Sequence, residues 1–236
     1  MKEMKSGREK IAYKVCSVAA VLLFHVLILA AILYFSLFRA GFLYQECERY
    51  QVASRLKISG EELHQVTDRL ISYVKGYSED LDIVVTMNGS SREFFNERDK
   101  QHVEDVAVML EQFRAAAGVA VFILLILLGF LLYRRKLSLL CKTYLFSWLL
   151  WILLSVVVGV WLLADLTGFI NTFHRLLFRN NNWVLNPVND LLIWLFPEEL
   201  FRDGAILLAS WFAGLHLAVT VAAICYRVRH DGIFTH

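Results

Sequence analysis

The sequence predicts an all-α membrane protein with four transmembrane helices, both termini in the cytoplasm, a mainly helical outer segment and an aromatic outer hairpin. Three observations lead there. The chain is 58% hydrophobic and 14% aromatic with only 19% charged residues, a balance too apolar for an ordinary soluble domain. Its apolar residues gather in four runs, 15–38, 115–133, 144–166 and 204–226, each near the ~20 residues that carry a helix across a ~30 Å hydrocarbon layer. Lysine and arginine mark one side only: Lys2, Lys5, Arg8, Lys10 and Lys14 precede the first run, Arg134, Arg135, Lys136 and Lys142 separate the second from the third, and Arg227 and Arg229 follow the fourth. Basic residues near span ends resist translocation, so that side is the cytoplasm.

Residues 1–14 are therefore a cytoplasmic N-terminus. The first run is longer than the roughly 7–15 apolar residues of a secretory signal and has no small-residue cleavage site before Arg39, so it reads as a permanent helix. Residues 39–114 form the first outer segment. Within it Ser59 and Glu62 have the spacing of a capping box, and Leu63, Val66, Leu70 and Val74 follow at helical spacing, which predicts an amphipathic helix over 59–77. Residues 82–87 read as a short extended piece ending at the turn signal Asn88-Gly89, and Ser90 completes a glycosylation sequon that matters only in a eukaryotic secretory route. From Glu93 a second helical pattern passes through His102, Val106, Met109 and Phe113 into the second span without a breaker.

Residues 134–143 are a cytoplasmic loop and 144–166 the third span. The second outer segment, 167–203, is rich in large apolar groups, among them Phe173, Phe178, Trp183, Leu192, Trp194 and Phe201. Such a segment belongs at the bilayer surface or under the other outer segment, as a re-entrant or interfacial hairpin. Asn186-Pro187 reads as a turn, Asp190 as the cap of a short apolar helix, and Pro197 with Glu198 and Glu199 as the start of the helix that becomes the fourth span. Residues 227–236 are the cytoplasmic tail.

The net charge of +2 gives no support to nucleic-acid binding. Cys16, Cys141 and Cys225 lie near cytoplasmic span ends and Cys47 is alone outside, so the four cysteines form no disulfide framework, and Cys47 reads as a packed thiol rather than an acyl carrier. His-Glu-x-x-His, Gly-x-Ser-x-Gly and a phosphate-binding glycine loop are all missing, which argues against a zinc protease, a serine hydrolase of that type and a nucleotide-driven pump. Neither a metal nor a cofactor is expected.

Topology sorts the seven histidines. His25 and His216 fall near the middle of the first and fourth spans, where a polar group is costly and is either functional or hydrogen-bonded between packed helices. His230 and His236 are in the tail, and His64, His102 and His174 are outside. Asp105 stands three residues after His102 and Arg98 four before, so the three share one helix face. A carboxylate beside an imidazole fixes its tautomer and prepares a general base, although the same spacing also arises as a solvated charge pattern. If the third helix runs on past its span, His174 stands on the order of 12 Å above the hydrocarbon edge, and His102 on the order of 18 Å. Two histidines from separate segments thus reach comparable heights.

Three stretches, 98–106 (RDKQHVEDV), 173–183 (FHRLLFRNNNW) and 190–203 (DLLIWLFPEELFRD), together with the four-span layout, resemble a family of bacterial membrane proteins that includes the lipoprotein intramolecular transacylase. The resemblance implies transfer of the sn-2 acyl chain of a diacylglyceryl lipoprotein to the α-amino group of its N-terminal cysteine, giving a lyso-form lipoprotein, at the outward face of a bacterial cytoplasmic membrane. It makes His102 and His174 the catalytic residues, with diacylglyceryl lipoproteins and membrane lipid as partners and the acid and base roles open between the two rings. Asp105 is expected to orient His102. Arg98 and Arg175 are candidates for holding an oxyanion or a lipid headgroup, and Trp183 reads as an interfacial anchor rather than a substrate contact. The chain departs from the pattern at Asp99, where Glu is expected, at Val103 for Met, and at Leu177 and Leu200 for Phe.

Two other readings compete. One is a non-catalytic membrane protein whose outer domain binds a ligand or partner. The other is a small transporter that relays protons through His25 and His216.

Overall fold

The computed structural model describes residues 2–231, and the side chains of 7–230. The end of the expected tail, with His236, lies outside the described residues, as do the side chains of Lys2 and Lys5. The elements are α1 (Lys2–Ser36), α2 (Ala40–Arg49), α3 (Val52–Leu56), α4 (Gly60–Val74), β1 (Val84–Met87), β2 (Ser90–Glu93), α5 (Glu97–Tyr133), α6 (Leu137–Ala164), α7 (Leu166–Leu177), a 3₁₀ helix (Leu192–Leu195) and α8 (Glu198–Asp231). Among the described residues, four helices are long and apolar enough to cross a membrane: Gly7–Ser36, Glu97–Tyr133, Leu137–Ala164 and Glu198–His230. The chain separates into two compact units. One comprises residues 1–31, 116–164 and 209–236, and the other 32–115 and 165–208.

In the first unit, large apolar side chains such as Phe122, Leu149, Leu153, Val160 and Leu163 are exposed, the pattern of helices that face hydrocarbon. Inward contacts combine apolar clusters, such as Ala20 with Leu124 and Leu131, and polar groups. Ser17 Oγ donates to Thr143 Oγ1 at 2.8 Å and Trp148 Nε1 to Thr220 Oγ1 at 2.8 Å, interhelical bonds suited to a medium in which burial of apolar surface does not drive helices together. The expected cytoplasmic loop 134–143 contracts. Arg135 takes a left-handed φ of 55°, Lys136 N bonds Leu131 O and Arg135 N bonds Leu132 O, a Schellman closure after which α6 starts at once at Leu137.

The second unit has a hydrophobic core of its own. Leu43 and Cys47 of α2, Leu63, Val66 and Leu70 of α4, Phe94, Phe95, and Val103 of α5 pack with Leu191, Leu192 and Leu195. The apolar part of the second outer segment therefore packs with the first. The Ser59–Glu62 capping box forms, and Glu62 Oε1 also accepts from Thr86 N at 2.7 Å, so one carboxylate ties α4 to β1. These donors hold Glu62 below the ordinary carboxylate range. The expected extended piece is one strand of a hairpin, β1 pairing antiparallel with β2 across Asn88-Gly89, both at positive φ.

Three expectations are corrected. The third helix does not run on: it ends at Ala164, and Asp165 caps a new helix by accepting from Gly168 N at 2.8 Å, so the rise-based height for His174 fails. A Cβ at Gly168 would meet the Asp165 carboxylate, so a larger residue there would have to displace the capping side chain. Asp190 does not cap the 3₁₀ helix, because its carboxylate accepts from Asn186 N at 2.6 Å and Asn96 Nδ2 at 2.7 Å. In place of a simple hairpin, 167–203 consists of α7, an irregular passage and the 3₁₀ helix leading into α8.

Candidate active site

α5 begins with a reciprocal cap. Asp99 N donates to Asn96 Oδ1 at 2.9 Å and Asn96 N to Asp99 Oδ2 at 3.3 Å. Asp99 is fully buried, and burial raises its carboxyl to about 6 against the opposing pull of the backbone N–H groups of Asn96, Leu192 and Leu191. At 37 residues α5 is about 55 Å long, well beyond one bilayer crossing. Its charged first part, which carries His102 one turn after Asp99, lies outside the apolar run 115–133.

His174 stands in the last turn of α7, whose end is marked by Phe178 N bonding His174 O at 2.8 Å. His174 Nδ1 lies 2.8 Å from Ile170 O. A carbonyl only accepts, so Nδ1 carries the proton and Nε2 of the neutral ring keeps its lone pair.

The two histidines are neighbours, with ring centroids 5.7 Å apart and planes tilted by 45°. Phe178 meets His102 edge-on at 5.4 Å, and Trp183 stacks on His174 at 5.1 Å and 25°. His102 is 8% exposed and its Nδ1 is buried without a hydrogen-bond partner among the described residues, whereas His174 is half-buried. Burial first, and the charge of His174 second, hold His102 down at about 4, with Asp105 pulling weakly the other way. One imidazole is thus neutral across the physiological range. The other presents a defined lone pair, and the pair is close enough for a proton to pass directly or through one water.

The supporting residues are placed differently from expectation. The carboxylate of Asp105 makes its hydrogen bonds to Asn180 Nδ2 at 2.9 Å and Asn182 Nδ2 at 3.3 Å, not to His102. Arg98 donates to Val184 O at 3.2 Å and Arg175 is exposed in the last turn of α7. Trp183, expected as an interfacial anchor, lies on the ring of His174. Phe178 was not singled out for the site, whereas the three consecutive amides Asn180 to Asn182, readable from sequence as the mouth of the site or as a polar turn, supply two carboxamides to Asp105. Cys47 is buried, donates to Leu195 O at 3.3 Å and is pushed up to about 12, chiefly by burial, so it is an inert packed thiol.

The intramembrane histidines also meet. His25 and His216 stack with centroids 4.5 Å apart, His25 on the opposing indole of Trp151 at 5.0 Å. His25 Nδ1 is 2.6 Å from Val21 O and its Nε2 3.2 Å from Ser147 Oγ, and His216 Nδ1 is 2.8 Å from the Tyr144 hydroxyl. Each is 1% exposed.

Residues 17–201 match the family model of the lipoprotein intramolecular transacylase Lit. Comparison with curated protein sequences gives no match. Among solved structures, the membrane-integral lipoprotein intramolecular transacylase Lit from Bacillus cereus superposes with a TM-score of 0.72 at 18% identity, covering 96% of this chain and 99% of that one. A variant of the same protein with one histidine changed to alanine gives 0.71 at 16% identity over 99% and 100% of the two chains. At such identities the likeness speaks for the fold.

Proposed function

The chain belongs to the lipoprotein intramolecular transacylase family, a family of acyltransferases, and from that membership we propose that it moves the sn-2 acyl chain of a diacylglyceryl lipoprotein onto the α-amino group of the N-terminal cysteine. The product is a lyso-form lipoprotein, made at the outward face of a bacterial cytoplasmic membrane. The observation that carries this reading is the contact of His102 and His174, drawn from two different outer segments, with the Nδ1 of the half-buried His174 engaged by Ile170 O and its Nε2 not taken up by that bond.

The cysteine amine attacks the ester carbonyl as an N–C bond forms, and His174 Nε2 accepts the proton the nitrogen loses. The bond between the acyl carbon and the ester oxygen breaks, and the departing glyceryl oxygen takes a proton from His102, which has received it from His174. This relay leaves both rings as they began, so the net proton moves from amine to glyceryl hydroxyl. Because burial keeps His102 weakly basic, a proton relayed to it from His174 is given up readily to the developing alkoxide. Donor and acceptor arrive on one molecule, which removes the entropy of a second encounter. Arg98 and Arg175 are the cations available for an oxyanion or for headgroups of membrane lipid.

Mass spectrometry of a lipoprotein's N-terminal peptide, from a host lacking the activity and expressing this chain, tests the reading. The N-acyl, monoacylglyceryl form should appear with the native chain and be absent with His102→Ala and with His174→Ala at equal expression. An unchanged diacylglyceryl terminus, with the protein folded in the membrane, would overturn it in favour of a binding protein.

A further inference from the structure

After α7 the chain turns back toward α5 in a short irregular passage, residues 178–184. Two carboxamides of this passage converge on one carboxylate oxygen. Asn180 Nδ2 and Asn182 Nδ2 both reach Asp105 Oδ2, at 2.9 and 3.3 Å, and Asn182 N donates to Asn180 Oδ1 at 3.1 Å. A carboxylate is one of the few side chains that accepts from two amides at once, and its charge strengthens each bond. Trp183 is tied into the same knot, since its Nε1 donates to Asn180 O at 3.0 Å, and its indole then covers one face of the His174 ring. The position of the ring is thereby set twice, by the Ile170 carbonyl at Nδ1 and by the indole on its face.

We propose that Asp105, Asn180 and Asn182 form a clasp that positions Trp183 over His174, and so are positioning residues that aim His174 Nε2 at the amine of the substrate. The inference rests on the transacylase reading for its consequence and on the hydrogen bonds alone for its geometry. A misaimed imidazole leaves water as the competing acceptor of the acyl group, with the acyl carbon bonding to water oxygen and the fatty acid departing free. Loss of the clasp therefore changes the partition between transfer and hydrolysis as well as the rate. A displacement of about 1 Å at a reacting group costs on the order of 100-fold.

The test uses the full chain in membranes with a synthetic diacylglyceryl-cysteinyl lipopeptide. Asp105→Leu should lower transfer at least about tenfold, chiefly in kcat, and raise the share of free fatty acid. Asp105→Asn, which keeps an acceptor oxygen for the carboxamides, should keep most of the activity. Trp183→Ala should behave like Asp105→Leu, and Trp183→Phe, which keeps a ring on His174, should lie between. A second readout needs no turnover. Protonated imidazole quenches a stacked indole, so the difference in emission between the native chain and Trp183→Phe should titrate with pH. That titrating component should vanish in Asp105→Leu and in the double variant Asn180→Ala/Asn182→Ala, and remain in Asp105→Asn. The titratable and charged groups around the His174 ring are His102, Asp105 and Arg98 on α5 and Arg175 on α7. An unaltered titration together with an unaltered partition in both Asp105→Leu and the double variant would overturn the clasp. If the native chain transfers no acyl group but the emission component still disappears with Asp105→Leu, the functional reading falls and the clasp stands.

Discussion

The protein holds two pairs of neighbouring histidines, one in each unit, and they differ in what surrounds the nitrogens rather than in distance. The His25–His216 rings are closer, at 4.5 Å, than the His102–His174 rings at 5.7 Å. Yet His25 and His216 are each 1% exposed, enclosed by Tyr144, Trp151 and Phe212, with three of their four nitrogens facing protein groups. The outer pair has a half-buried member whose one hydrogen bond fixes the tautomer and leaves Nε2 free for a substrate. Two adjacent imidazoles make a reactive site when a lone pair can be reached. When it cannot, they act as polar glue between helices.

Substitution should separate the pairs most sharply in turnover. His174→Ala and His102→Ala should each lower transacylation by roughly 100- to 10,000-fold, the usual worth of a proton-transfer group, with the melting temperature changed little. His25→Leu or His216→Leu should leave turnover per folded molecule within about twofold and instead lower stability by roughly 1–3 kcal/mol, as buried partners lose their hydrogen bonds. A transporter would show the reverse dependence, so this contrast also tests that alternative.

The outer pair should also betray its electrostatic coupling. His174→Gln removes a positive neighbour, so His102 should titrate above about 4, closer to the ordinary imidazole range, in an NMR titration of its ring protons. Because His102 is depressed on folding, the unfolded chain binds the proton more readily. Its burial therefore destabilises the protein as pH falls from about 6.5 through about 4, and this acid sensitivity should weaken in His102→Gln. The smallest effect is expected at Asp99, whose carboxyl is raised to about 6. Its folded form prefers the proton, so stability declines as pH rises from about 4 through 6. Asp99→Asn should melt a few degrees higher than the native chain at pH 8, and the difference should close near pH 4, with Asn able to keep the cap to Asn96.

Much of the outer unit was legible because its signals are local. The Ser59–Glu62 box, the Asn88-Gly89 turn and the Pro197-Glu198 start each need only a few consecutive residues. The break at Asp165 was equally local, an Asp-Leu-Thr-Gly start signal, but it was masked by the apolar run on one side and the aromatic run on the other. His102 and His174 were picked out by motif. The partner of Asp105 was misread, because helical spacing puts it near His102 while the competing amides come from 75 and 77 residues away.

By itself the sequence determined the four apolar helices, since crossing length and charge asymmetry are properties of single segments and need no knowledge of neighbours. It also determined which residues are able to move a proton. Tertiary structure alone decided which of them stand together: that Cys47 is sealed under Leu195, that Trp183 lies on His174, that Asp105 holds asparagines, and that one histidine pair is enclosed while the other is reachable. Those outcomes depend on how segments far apart in the chain share a core, and burial, which sets both access and charge state, exists only once they do.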